Sequence, residues 1–512
     1  GPAAEVRVTG GVSATIGSVL AGTSSLNKTG PGTLVLTGTN TYTGGTAIGG
    51  GVLQVASDAN LGAAAGILGV SGGTLRTTAS FTTGRTTLLG AGGGTFETAA
   101  GTALTHSGLI AGGGALTKAG AGTLILTGDN SYTGGTTIGA GILQLGNGGT
   151  SGSITGDVVN DGTLVFNRSD QSNFDGTITG TGNLVKTGSG TTILTADNAY
   201  LGTTEIQGGF LYVDGDQSAA TGLTTVAGGA RLGGDGIVGG AVTVADGGTL
   251  APGSVPLTPA TLTINGPLTL NEESILFYNV MDTTVGGSLN DLVVVNNDLV
   301  LDGVINILDQ GQTLGPGVYR IINYTGALTN NGLRIGNYLS DPTTITRPIT
   351  DFSVQTAIAN QVNLINTAGL DLTFWDGGAG TPNDGVIEGG SGTWRNAGPT
   401  INWTDADGQI NAGWTDGGFA VFTAAPGTVT VSNENGQVRA GGMQFQTDGY
   451  VIDGGQLELV GGTSTIRVGD GTSAGAGVTA TIAATLTGSS TLAKTDAGNL
   501  VLTGTNTYTG GT

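Results

Sequence analysis

Few residues in this chain are equipped for chemistry. There is one histidine, His106, in the stretch LTHSG, and there is no cysteine. A serine nucleophile needs an imidazole held by an acid and set against the hydroxyl. His106 and Ser107 are adjacent, which in a strand turns them to opposite faces. His106 is therefore expected at the surface or at a corner. Zinc sites built on Cys or His pairs are excluded by composition. Carboxylates are the remaining resource, 36 Asp and Glu in all. Glycoside hydrolysis uses two of them flanking the scissile bond. The tightest acidic pair in an aromatic setting is Asp405 and Asp407, in TDADGQI. All four tryptophans, Trp375, Trp394, Trp403 and Trp414, fall in the same neighbourhood.

These six residues are the candidate ligand-binding set. Trp is favoured in binding hot spots, and with the acids it outlines a sugar subsite. The same tryptophans equally suit the small core of a loop-rich segment that needs apolar mass. Arg395 is the only cation between residues 371 and 430, which leaves a polysaccharide lyase short of its usual basic residue. DADG resembles half of an EF-hand loop, but Trp403 stands where the first acid belongs. Gly is so frequent that a GxGxxG match carries no information. The expectation is no catalytic residue, no metal and no cofactor, hence a non-enzymatic protein. A β-helical polysaccharide-degrading enzyme using Asp405 and Asp407 is the enzymatic alternative.

The elements that must position these residues are strands and turns. The chain has 512 residues, of which 102 are Gly, about three times the usual share. Only 12 are Pro and there is no G-X-Y period, so collagen is excluded. Charged residues make up 10%, too few for a disordered chain of this aliphatic content. The formal net charge is −21, which excludes nucleic acid as a partner and disfavours an anionic membrane surface. No apolar run is long enough to cross a bilayer as a helix. No signal peptide is visible, and Gly1-Pro2 reads as what a protease leaves behind.

One phrase recurs. Residues 26–55 read LNKTGPGTLVLTGTNTYTGGTAIGGGVLQV, and kindred stretches occupy 116–145, 184–213 and 492–512. Periodicity of this kind signals a solenoid or an array. Each copy holds three short alternating runs, too short to form a sheet alone, so they are expected to pair with equivalent runs one turn away. Alternation places Leu34, Leu36, Ile48 and Leu53 inward and the threonines outward. Three runs suggest three faces per turn. A turn of about 20–25 residues rising about 4.8 Å gives a rod on the order of 100 Å long. The expected fold is all-β, a right-handed parallel β-helix, with an aromatic-rich interruption near residues 371–430. Asn40, Asn130, Asn198 and Asn506 share one repeat position, and Tyr42, Tyr132, Tyr200 and Tyr508 follow two residues later. Asn is expected to turn a corner there, through positive φ and bonds to neighbouring backbone. The tyrosines are expected to cover the corners rather than to form a binding stripe.

A longer period lies over the short one. TIGSVLAGTSSLNKTG at 15–30 aligns without gaps on TIAATLTGSSTLAKTD at 481–496. The chain is therefore expected to be one module and the start of a second, cut from a larger protein. The expected division is a β-helix module over 1–369, an aromatic-rich irregular segment over 370–445 that starts the next module, and truncated β-helix over 446–512.

The phrase L-x-K-x-G-x-G-T-L-x-L-T-G-x-N-x-Y-T-G-G-T resembles the passenger-associated transport repeat of bacterial autotransporters. GGTLAPG at 247–253, NDLVVVNNDLVLDG at 290–303 and the FWDG…GMQF run at 374–445 resemble the passengers of large AIDA-like autotransporter adhesins. The resemblance implies a passenger displayed on the outer face of a Gram-negative outer membrane. It implies a parent tethered by a C-terminal barrel, and attachment to a host cell surface or extracellular matrix protein. Self-association of rods is the alternative the family suggests.

Overall fold

The computed structural model describes residues 3–253, 259–280, 290–309, 314–341, 344–345, 349–378, 380–396, 398 and 400–512. The chain divides into two compact units, Gly1–Thr249 with Ile264–Gly266, and Leu250–Thr263 with Pro267–Thr512. The sequence placed its first boundary close to residue 369.

The first unit is a parallel β-solenoid. In one column of strands Leu26 pairs with Thr46, Thr46 with Leu68, Leu68 with Thr87 and Thr87 with Ile110. A turn thus takes 19 to 23 residues, close to the expected length. In a second column Leu34, Leu53, Leu75 and Phe96 stack in register, all fully buried. A third runs through Leu104, Leu124, Leu143, Leu164 and Leu184. Each strand of these columns is only three to five residues long, so its backbone groups are satisfied by the turns before and after it. The expected inward residues Leu34, Leu36, Ile48 and Leu53 are all buried.

The repeat itself is built differently from the expectation of three faces per copy. Its runs pair within the copy. Leu26–Thr29 stacks on Thr46–Ile48, and Thr33–Leu36 stacks on Gly51–Val55. The copies at 116–145 and 184–213 do the same. A 30-residue phrase is longer than one turn, so its second half lies directly over its first. Not all threonines face outward either. Thr46, Thr136 and Thr204 are buried, because each shares strand parity with an inward isoleucine.

The second unit begins with the same parallel order, as in Leu268 with Leu299 and Ile275 with Val304. The order breaks at Gly317–Tyr324, which pairs antiparallel with Gln361–Asn366, itself antiparallel to Phe352–Gln355. Parallel stacking resumes at Leu372–Trp375. That strand leads through Phe419–Phe422, Gly442–Phe445 and Thr463–Val468 to Thr491–Thr495. Two short strands, Trp403–Thr404 and Asn411–Ala412, add antiparallel to its outer side. The aromatic-rich stretch therefore holds rungs of the restarted stack, and the antiparallel break lies before it.

Candidate functional site

The four tryptophans meet in the core of the restarted stack. Trp375, Trp394, Trp403 and Trp414 are 0, 0, 2 and 5% exposed. Their ring centroids lie 4.6–5.1 Å apart in the pairs 403–414, 394–414, 375–403 and 394–403. Most of these contacts are edge-to-face, the arrangement the ring quadrupole favours. Phe422 packs against Trp403 and stacks on Phe445 of the next rung. The indole N–H of Trp375 donates to the Gly390 carbonyl at 2.8 Å, and that of Trp414 to the Arg439 carbonyl at 2.9 Å.

Trp403 also reaches the wall of a cleft of about 380 Å³, within the size range of small-ligand sites. Leu370, Leu372, Phe374 and Ile410 line it with Asp371 and Asp405. Asp405 is half-buried. Its Oδ1 accepts from the backbone N–H of Gln409 at 2.8 Å and of Ile410 at 3.3 Å, closing the loop between the two short strands. Asp407 is exposed and is not part of the cleft wall. The structure therefore brings Trp403 and Asp405 to one site, and leaves Asp407 and the other three tryptophans elsewhere.

A carboxylate pair that the sequence did not single out lies on the neighbouring loop. Asp376 accepts from the backbone N–H of Glu388 at 3.0 Å and from the Asn411 side-chain amide at 2.7 Å. Burial first, then the hydrogen bond to Asp376 and the charges of Asp376 and Asp384, push the Glu388 carboxyl up to about 7. The backbone bond from Glu388 ties the two acids into one loop. Eleven residues of loop separate the two, so no strand parity announced the contact. Among the described residues no group of three or more His, Cys, Asp or Glu is arranged to hold a metal.

The repeat positions are structural. Asn40, Asn130, Asn198 and Asn506 each accept, through Oδ1, the backbone N–H twenty residues earlier, from Leu20, Ile110, Ile178 and Leu486. Each side chain thus stands in for a missing strand pair at the corner. None of the four has positive φ, so the bond to backbone is the reason for Asn, and left-handed conformation is not. Tyr42, Tyr132, Tyr200 and Tyr508 each share a hydrogen bond with the threonine four residues on. The first three are buried and Tyr508 is half-buried.

The repeat lysine was not foreseen. Lys28, Lys118 and Lys186 are fully buried. The Lys28 ammonium donates to the carbonyls of Thr29, Gly30 and Gly50 at 2.8–3.0 Å. Lys118 does the same to Ala119, Gly120 and Ala140. Burial lowers Lys118 and Lys186 to about 8. The second half of the corner is a glycine. Gly51, Gly141 and Gly209 have φ of +63°, +70° and +65°, and a Cβ there would stand within 2.4 Å of the corner carbonyls.

His106 corrects the surface expectation. It is fully buried, one rung from Leu126 in register. Thr87 Oγ1 lies 2.8 Å from Nε2, and Nδ1 faces the Gly108 carbonyl at 3.2 Å. A carbonyl only accepts, so Nδ1 carries the proton and the Thr87 hydroxyl donates to Nε2. The imidazole is held neutral, and burial lowers it to about 4.

Comparison with known proteins agrees with this architecture. The passenger-associated-transport-repeat family matches at residues 26–55, 116–145, 184–213 and 492–512, the segments that form the lysine and asparagine corners. Over 389 residues, 75% of this chain, the sequence is 47% identical to a protein of Brucella suis biovar 1 (strain 1330) named adhesin BmaC autotransporter. The matched segment spans 11% of that relative's length. The chain thus carries four passenger-associated transport repeats, stacked in a solenoid, and over three quarters of its length is similar to an autotransporter adhesin.

Proposed function

We propose that the chain is a non-enzymatic part of an adhesin, displayed on the bacterial surface and mediating attachment to host cells or to an extracellular matrix protein. The observation that carries this reading is the 47% identity to a protein named as an adhesin. The fold suits the role. A stack of turns holding one another by neighbour contacts extends without a large globular core, and weak contacts on repeated modules sum through multivalency. The net charge of −21 argues against nucleic acid as a partner. Asp376 is engaged within its own loop by the Glu388 backbone N–H and the Asn411 amide, which favours a structural role for it. The test is attachment of the folded chain, coupled to beads, to cultured cells and to a panel of matrix proteins. Saturable binding is the expected result. Absence of binding by a chain shown to be folded would reduce it to a spacer between binding modules.

A further inference from the structure

The cleft beside the tryptophan core has a more specific chemistry than the adhesin reading, on which this inference rests. Its volume of about 380 Å³ corresponds to on the order of a dozen waters at about 30 Å³ each. One long side chain and part of its neighbour would displace them. Leu370 and Ile410 are 46 and 65% exposed, large aliphatic groups left to water on two separate loops. Behind them the wall is Phe374 and Trp403. The charged groups of the wall are Asp371 and Asp405, and no Lys, Arg or His lines it. Arg395, the only cation of the region, is engaged by Glu434 at 3.3 Å.

An apolar slot with two carboxylates among its lining residues matches an aliphatic stem that carries a cation at its tip. A guanidinium fits two carboxylates better than an ammonium does, because its planar fork bonds to both. The net charge of −21 draws basic segments toward the surface at low salt. A sugar is served less well, since the tryptophan faces are spent on one another in the core. The geometry points to a binding site for a basic, extended segment of a partner protein, with an arginine stem against Leu370 and Ile410 and its guanidinium at Asp371 and Asp405.

The probe is a capped Gly-Leu-Arg-Leu-Gly peptide, with citrulline replacing arginine in the control, titrated into the whole chain while tryptophan emission is followed. The arginine peptide is expected to shift the emission and to bind at least tenfold more tightly than the citrulline one. Its affinity should fall as salt rises. An Asp371→Asn, Asp405→Asn double variant should bind at least tenfold more weakly. The Asn oxygen at 405 still accepts the N–H groups of Gln409 and Ile410, so the loop is kept. Ile410→Ser, on a side chain mostly in water, should weaken binding without unfolding. Equal affinity for both peptides, an unchanged double variant, or an emission shift produced instead by neutral oligosaccharides would each overturn the assignment. The same variants in the bead assay separate the two proposals. Failure of the peptide titration with attachment intact sinks the cleft alone, and failure of attachment with peptide binding intact sinks the adhesin reading alone.

Discussion

The buried imidazole of His106 is a direct test of the packing. It is the only histidine in the chain, so ¹³C labelling at histidine Cε1 yields a single resonance to titrate. The group is lowered from its ordinary 6.5 to about 4, by burial first. Each pKa unit corresponds to about 1.4 kcal/mol of differential stability. The full cost of charging His106 in place is thus about 3 kcal/mol, reached below pH 4. A lowered histidine favours the neutral form in the folded state. The unfolded chain therefore binds the extra proton first, and stability falls as pH drops from about 6.5 to about 4. At pH 5 the loss is about 2 kcal/mol. A solenoid does not unfold as one unit, so the readout is local. The protection factors for hydrogen exchange at the Thr87, His106 and Leu126 rung should fall on acidification while those of distant rungs hold. His106→Leu, which copies the residue one turn on, should remove that acid sensitivity. A resonance that titrates near 6.5, with unchanged protection factors at this rung, would refute the buried placement.

Gly141→Ala places a Cβ 2.4 Å from the carbonyl oxygens of Gly120 and Gly122 at φ +70°. A loss of about 2–4 kcal/mol is expected, read as faster hydrogen exchange at that corner. Lys118 is lowered to about 8, so the folded chain gives up its proton before the unfolded one, and stability should rise between about pH 8 and 10.5 by up to about 3 kcal/mol. Lys118→Met should remove that rise at the 118–142 corner and leave the Lys186 corner unchanged. With exposures of 0–5%, the four tryptophans should resist iodide quenching, and quenching comparable to free indole would show that the aromatic core is open.

Strand parity made much of the core legible. Leu34 and Leu36, or Leu124 and Leu126, stand two apart and both point inward. The same parity applied to L-x-K and L-x-H. Leu26 shares a face with Lys28, and Leu104 with His106, so both basic residues were bound to face inward. The general rule that charges stay outside concealed this, because it takes no account of a corner whose carbonyls have nowhere else to turn. Chance closeness of acids was no guide in the aromatic region. Asp405 and Asp407 are near in sequence and apart in role, whereas Asp376 and Glu388 meet through a loop whose path no alternation encodes. The antiparallel break at Gly317–Tyr324 fell in the most hydrophobic stretch of the chain, and only its direction was hidden.

The lysine corner also explains why copies of the phrase need not stack on one another. Leu26 stands in the column of Leu68 and Ile110. Leu116 stands in the column of Gly51 and Gly94, and Leu184 in the column of Leu124 and Leu164. One phrase therefore begins on three different columns of the same solenoid. What it supplies is independent of the face. An ammonium gathers two or three inward carbonyls, a left-handed glycine lies over them, and an Asn side chain bonds the turn below. The fourth copy tests the logic in its own sequence, since Asp496 replaces the glycine equivalent to Gly30. It adopts φ +66°, a conformation Asp tolerates better than most residues. Lys494 still donates to its carbonyl, and its carboxylate takes the buried Arg467 at 2.9 Å. The acceptor position of the corner thus accepts an Asp in place of glycine where the backbone keeps positive φ, and the lysine-to-carbonyl bond is retained across the change.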